Sequence, residues 1–245
     1  MKTQLIKKIK QISAEYKFGD FFRNFIAVVL GIVLTFAGSD WITERNTQKE
    51  VEKSLLLVKS ELLLNREEMQ AMAMRVSLEQ KAASYLFEYK NKKSEISQDS
   101  VKRYLPLIFQ WSKFTFTNDA MEMLKSSSLI HKIKNKELAL QVIKAYGTIK
   151  AVQSAFNVYM DYKSQGQDEF NANPKVKAYA YNQTKKREKP DNFNKEYPSL
   201  LDFLYAQPEG LSLLQTLPNI LSSQIFFSGV EEISETIAAI EKEYQ

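Results

Sequence analysis

Hydrophobic residues are distributed in two contrasting ways along the first third of the chain. From Phe25 to Gly38 the sequence FIAVVLGIVLTFAG runs fourteen residues without a charge, and Phe21, Phe22, Trp41 and Ile42 extend its apolar character to about 22 residues. A helix of that length rises roughly 33 Å, enough for a hydrocarbon core of about 30 Å. Beyond Trp41 the pattern becomes one-sided. Val51, Leu55, Val58, Leu62, Met69, Met72, Val76, Ala83 and Leu86 recur at spacings of four and three, with Asn65 and Glu79 as polar interruptions, which is a heptad seam.

The first pattern predicts a transmembrane helix over residues 21–42, with Phe25, Val28, Val29, Gly31, Ile32 and Trp41 as its anchor positions. Arg23, Asn24 and Asp40 then fall near the interfaces. Two rivals stand beside it. Thr35-Phe36-Ala37 before Gly38 is an acceptable signal-peptide cleavage site, although the preceding region is long for a signal peptide. A buried core helix is the other, but five β-branched residues with no polar face argue against it.

The second pattern predicts that the helix continues into solution, since neither proline nor glycine appears between Trp41 and Pro106. Its candidate packing seam is Val51, Leu55, Val58, Leu62, Met69, Met72 and Val76. Leu56, Leu57, Leu63 and Leu64 widen the apolar face, which favours packing in the chain's own bundle over a two-stranded coil. Further helices are predicted from about Val101 to Trp111, capped by Ser97, Asp99 or Ser100 and limited by Pro106. Others follow over Asp119–Lys125, Lys136 to about Gln165, Leu200–Gln207, Gly210–Phe227 and a closing amphipathic stretch through Val230, Ile233, Ile237 and Ile240. Asn173-Pro174 ends the long one at the latest.

Composition agrees. Seven glycines and six prolines among 245 residues are too few for the turns of a sheet protein. The fold class is therefore all-α, with the organisation 1–20 basic amphipathic cytoplasmic segment, 21–42 transmembrane helix and 43–245 helical extramembrane domain. The absence of cysteine excludes disulfides, thiolate metal sites and a cysteine nucleophile. A net charge of +5, spread along the chain, does not suggest a nucleic-acid partner. Six cations precede the span (Lys2, Lys7, Lys8, Lys10, Lys17, Arg23) and only Arg45, Lys49 and Lys53 follow closely. The positive-inside bias places the N-terminus in the cytoplasm, which implies a single pass through the inner membrane and a periplasmic domain. Leu5, Ile9, Ile12 and Tyr16 suit a basic helix on the anionic leaflet, or else belong to a solubilising tail.

Two stretches carry a resemblance. Val28-Val29-Leu30-Gly31-Ile32, then Trp41 and Glu44-Arg45, is similar to the opening of an uncharacterised family of single-span bacterial membrane proteins common in the Bacteroidota, the domain of unknown function 6090. Residues 120–128, AMEMLKSSS, followed by Ile133 to Leu138, resemble that family's short helix, Ser-Ser-Gly turn and next helix. The chain departs from the family pattern at Asn24, Ala37, Ser39-Asp40 and Ser128, where the family has an acidic residue, Gln, an Asn pair and Gly. The resemblance implies an uncleaved anchor and a helical far domain, and no activity.

Candidate chemistry is sparse. His131 stands alone, with no Cys, Asp or Glu at ligand spacing, and reads as a surface or capping residue. Glu67-Glu68 and Glu231-Glu232 read as solvated faces, Ser126 to Ser128 as a turn capping the following helix, and the Lys185–Lys189 run as a solvated loop or a basic patch. Tyr179, Tyr181, Phe226 and Phe227 suit a core, an interface or a ligand cleft. No phosphate loop, nucleophile elbow or two-histidine motif occurs. The expectation is a non-enzymatic envelope protein without cofactor or metal. Its partners would be the lipid bilayer and either its own copies, as a homo-oligomer, or another envelope protein; a periplasmic sensor or ligand-binding domain is the alternative.

Overall fold

The structure, a computed structural model, describes residues 18–178 and 193–244. The expected basic helix before residue 18, Tyr179, Tyr181 and the Lys185–Lys189 run lie outside them. Seven α-helices account for most of the described chain: α1 Phe18–Glu88, α2 Gln98–Phe109, α3 Asp119–Ser126, α4 Lys136–Ala172, α5 Phe193–Ala206, α6 Pro208–Ile220 and α7 Gln224–Tyr244. Short 3-10 turns fall at Tyr89–Asn91, Lys93–Glu95 and Leu129–Lys132, and no strand occurs among the described residues. The fold is all-α.

Two compact units, Met1–Lys53 and Ser54–Gln245, divide within α1. In the first unit the most apolar 18-residue window has a mean hydropathy of 2.0, and none of it is buried. That makes α1 long and apolar enough to cross a membrane once. The hydroxyl of Thr35 donates to the carbonyl of Gly31 at 2.7 Å, so this polar group is satisfied inside the helix. The Arg45 guanidinium lies 5.6 Å from the Trp41 ring, where the apolar run ends.

In the second unit α4 is the central element, packed by α6 and α7, while α5 packs on α6 and α2. α4 starts where the Asn135 side chain accepts from the Leu138 amide at 3.1 Å, and it continues to Ala172, beyond the expected end near Gln165. Phe170, in phase with the buried Phe156, Tyr159 and Lys163, keeps that face buried in the added length. Phe114, Phe156 and Phe226 meet edge to face with centroids 6.2–6.3 Å apart, locking α4, α7 and the segment before α3 together. Gly229 lets α7 approach α1 closely, since a Cβ there would lie 2.6 Å from the Met69 sulfur. Gly210 is a firmer requirement. Its Cβ would lie 2.3 Å from the Leu204 carbonyl oxygen, so only glycine fits the tight α5–α6 corner.

Several expected boundaries move. The helix expected over Gly210–Phe227 breaks at residues 221–223, where Leu221 turns to extended backbone and the next helix starts at Gln224. Ser126 to Ser128 close the preceding helix rather than cap the following one. The Ser126 and Ser127 hydroxyls donate to the Met123 carbonyl at 3.2 and 2.7 Å, and Asn135 caps α4 instead. Ser128 adopts the left-handed conformation with φ of 59°, a backbone region that favours glycine. Glu231 is solvated as expected, whereas Glu232 accepts from Thr148 at 2.9 Å and pairs with Lys144 at 3.1 Å.

Candidate functional site: a main-chain strap held between α1 and α4

Residues 110–118 join α2 to α3 without regular structure, and side chains alternate along part of them. Ser112 and Phe114 are buried while Trp111, Lys113, Thr115 and Thr117 face out. Among the described residues no main-chain to main-chain hydrogen bond reaches positions 110–117. Such a segment needs other partners for its backbone. They come from polar side chains on the two long helices.

At the strap's start, α2 ends with orphaned carbonyls, as every helix does. Lys163 of α4 donates to Leu107 at 3.1 Å and to Gln110 at 2.7 Å, and Gln167 donates to Ile108 at 2.7 Å. A cation at a helix C-terminus also meets the negative end of the helix dipole. Along the strap, Arg75 donates to the Trp111 carbonyl at 3.1 Å and Gln153 to that of Phe114 at 3.3 Å. Asn65 makes a paired contact with Thr117, donating to its carbonyl at 2.8 Å and accepting from its amide at 2.9 Å. At the far end Glu61 accepts from the Ala120 amide at 2.9 Å. Asn118 makes no side-chain cap, so this carboxylate from α1 caps α3 in its place.

Burial makes the charges costly unless each is fully bonded. Lys163 and Glu79 are 0% and 1% exposed and lie 2.7 Å apart. The ammonium's three donors go to Glu79, Leu107 and Gln110. Glu79 accepts in addition from Tyr159 at 3.0 Å and from Arg75 at 3.3 Å. Burial lowers the Lys163 pKa from the ordinary lysine range, with Glu79 opposing the shift. Burial raises Tyr159 and Tyr146 well above the ordinary tyrosine range, reinforced by Glu79 and by Glu61, to which the Tyr146 hydroxyl donates. Tyr205, whose hydroxyl reaches the Leu86 carbonyl at 2.5 Å, is pushed up to about 12 by burial.

With every donor of Lys163 engaged and three donors on Glu79, the cluster holds backbone in place. It presents neither a free base nor an unpaired nucleophile. No group of three metal-capable side chains occurs among the described residues, and His131 is exposed on a 3-10 turn.

The expected residues fall into two sets. The anchor positions Phe25, Val28, Val29, Ile32 and Trp41 are 40% to 63% exposed, and Gly31 has nothing near it. The seam positions Val51, Leu55, Val58, Leu62, Met69, Met72 and Val76 are all buried. From Leu55 onward this seam is consumed inside the chain's own bundle, so it offers no surface to a partner. Asn65 and Glu79, the seam's polar interruptions, belong to the strap's clamp. Sequence reasoning did not find Lys163, Glu61, Arg75 or Tyr146. Lys163 carried a signal, because it falls in phase with the core positions Phe156 and Tyr159 of α4. No protein-family model, no curated protein and no solved structure matches the chain.

Proposed function

We propose that this chain is a non-enzymatic interaction or scaffold module of the cell envelope, held in the inner membrane by residues 21–42, with its N-terminus cytoplasmic and its helical domain periplasmic. The observation that carries the reading is how the polar side chains of the second unit are used. Its buried charges fix the main chain of residues 107–120, while large apolar side chains stay outside, among them Trp111 at 64%, Leu140 at 67% and Tyr162 at 59% exposure. Exposed aromatic and aliphatic side chains on a backbone held in place suit protein recognition, and saturated buried charges do not suit catalysis. The apolar, unburied first unit suits attachment to a bilayer, and the cation bias before it suits the stated orientation. The resemblance to the uncharacterised single-span family supports the same anchor.

The test is photo-crosslinking in cells with the reactive side chain at Trp111, Leu140, Tyr162 or Leu64, combined with C-terminal reporter fusions. Adducts heavier than the monomer at one or more positions, with a periplasmic C-terminus, are expected. Monomer alone at all four positions overturns the interaction reading, and a soluble product starting near Gly38 overturns the anchor.

A groove of about 300 Å³ between the start of α4 and the end of α7 supports a second reading, a ligand-binding sensor. Asn135, Glu137, Gln141, Lys242 and Glu243 line it. Its size sits at the lower edge of small-molecule sites. A shift in thermal unfolding with one member of a polar small-molecule panel favours this reading, and a uniformly null panel counts against it.

A further inference from the structure

Within the second unit, α1 carries a second heptad series on the side away from its buried seam. Leu57, Leu64, Ala71 and Leu78 follow one another at seven-residue steps, and Ser60, Glu67 and Met74 lie three residues after the first three. All seven are exposed, with Leu57 at 53%, Leu64 at 62% and Met74 at 58%. Period and exposure together describe an unpartnered coiled-coil face about six turns long.

Glu67 decides what fits there. It is the one charge in the series, and its neighbours one helical turn away are Leu63, Leu64, Gln70 and Ala71, none of them a cation. Among the described residues it has no hydrogen-bond or ion-pair partner. It also stands at the midpoint of the stripe, which runs from 57 to 78. A second copy anchored in the same membrane runs parallel, and packed in register it would set Glu67 against its own counterpart in a contact shielded from water. Like charges in that position are strongly unfavourable.

We propose that this face docks an amphipathic helix of a different protein, one with an apolar heptad seam and a lysine or arginine opposite Glu67. The inference rests on the interaction reading above and names the partner's chemistry for one surface. Apolar area supplies attraction, and the glutamate that docking covers supplies selection against self-pairing.

The chain contains no cysteine, so a single introduced thiol reports proximity cleanly. Full-length Ser60→Cys and full-length Ser60→Cys/Glu67→Lys, with tags of different mass, are co-expressed in membranes and oxidised. The Glu67→Lys chain serves as the probe, because it offers the same apolar seam with a cation at the position facing Glu67. The mixed disulfide is expected at about tenfold or more over either self-pair, falling toward parity in high salt. Position 67 is exposed, and unchanged helicity and thermal unfolding of the variant confirm that the fold is intact. Self-pairs of the Ser60→Cys chain as abundant as the mixed pair overturn the proposal in favour of a homodimer. Absence of any disulfide overturns it too. In that second case, crosslinks at Trp111, Leu140 or Tyr162 leave the interaction reading standing, so the two failures are distinguishable.

Discussion

Residues 25–38 and residues 55–86 lie on one helix, both are rich in Leu, Val and Ala or Met, and they meet opposite surroundings. In the first stretch apolar side chains point in every direction and none is buried. In the second they occupy one face, and that face is covered to within a few per cent by α4, α7 and the strap. The placement of polar groups differs in the same way. The first stretch has one polar side chain, Thr35, and bonds it within its own helix. The second sends Glu61, Asn65 and Glu79 outward to cap and clamp other elements. A helix that carries its bonding internally suits a bilayer; a helix that shares it suits a bundle.

The largest break in this comparison comes from placing charge in the first stretch. Val29→Arg combined with Ile32→Arg costs about 2.5–3.5 kcal/mol of insertion free energy per residue. Membrane fractionation should show the double variant largely lost from the bilayer fraction. Leu64→Arg, on the exposed side of the second stretch, should leave fractionation unchanged and alter unfolding free energy by less than about 0.5 kcal/mol.

The clamp is the next target. Lys163→Ala leaves Glu79 buried without its main counter-charge and leaves two carbonyls without donors. It should cost about 3–5 kcal/mol in denaturant unfolding. Lys163→Met with Glu79→Met removes both charges and should recover a large part of that loss. Equal loss in the single and double variants would mean that the carbonyl bonds, and not the ion pair, dominate.

Titration separates the two stretches again, because the shifted groups lie in the bundle. Tyr146 and Tyr159 are raised above their unfolded value near 10, and Tyr205 rises to about 12. Above pH 10 the unfolded chain releases phenolic protons that the folded chain keeps. The folded state then binds more protons, so this stability is full below pH 10 and is lost as pH rises toward 12 and beyond. Lys163 acts with the opposite sign between its lowered pKa and 10.5, where the unfolded chain holds the proton longer. Three groups outweigh one, so unfolding free energy should fall above pH 10. Tyr146→Phe with Tyr159→Phe should flatten that slope, and an unchanged slope would reject the assignment.

The smallest effect is at Ser128. Relief of its left-handed conformation outweighs the added freedom of glycine in the unfolded chain, so Ser128→Gly should stabilise the bundle by up to about 1 kcal/mol. Thermal unfolding reads this directly.

Periodicity alone was enough to locate the apolar run, the seam and most helices, because each depends on side chains only a few residues apart. The all-α class followed from the same local rules. Helix ends were legible where the sequence itself supplies a stop, as at Asn173-Pro174, and were misplaced where the stop is tertiary. α2 ends against Lys163 and Gln167, and α3 begins at Glu61. Their sequence separations exceed fifty residues, beyond the reach of any local pattern.

The clamp was half visible. Asn65 and Glu79 announced themselves as polar residues on a buried seam, but the partners that make their burial tolerable come from α4 and the strap. What the sequence by itself determined was which residues need to leave water and with what period. Only the tertiary structure decided which long-range donor meets which orphaned carbonyl, because the cost of a buried charge is settled by three-dimensional neighbours and not by adjacent residues.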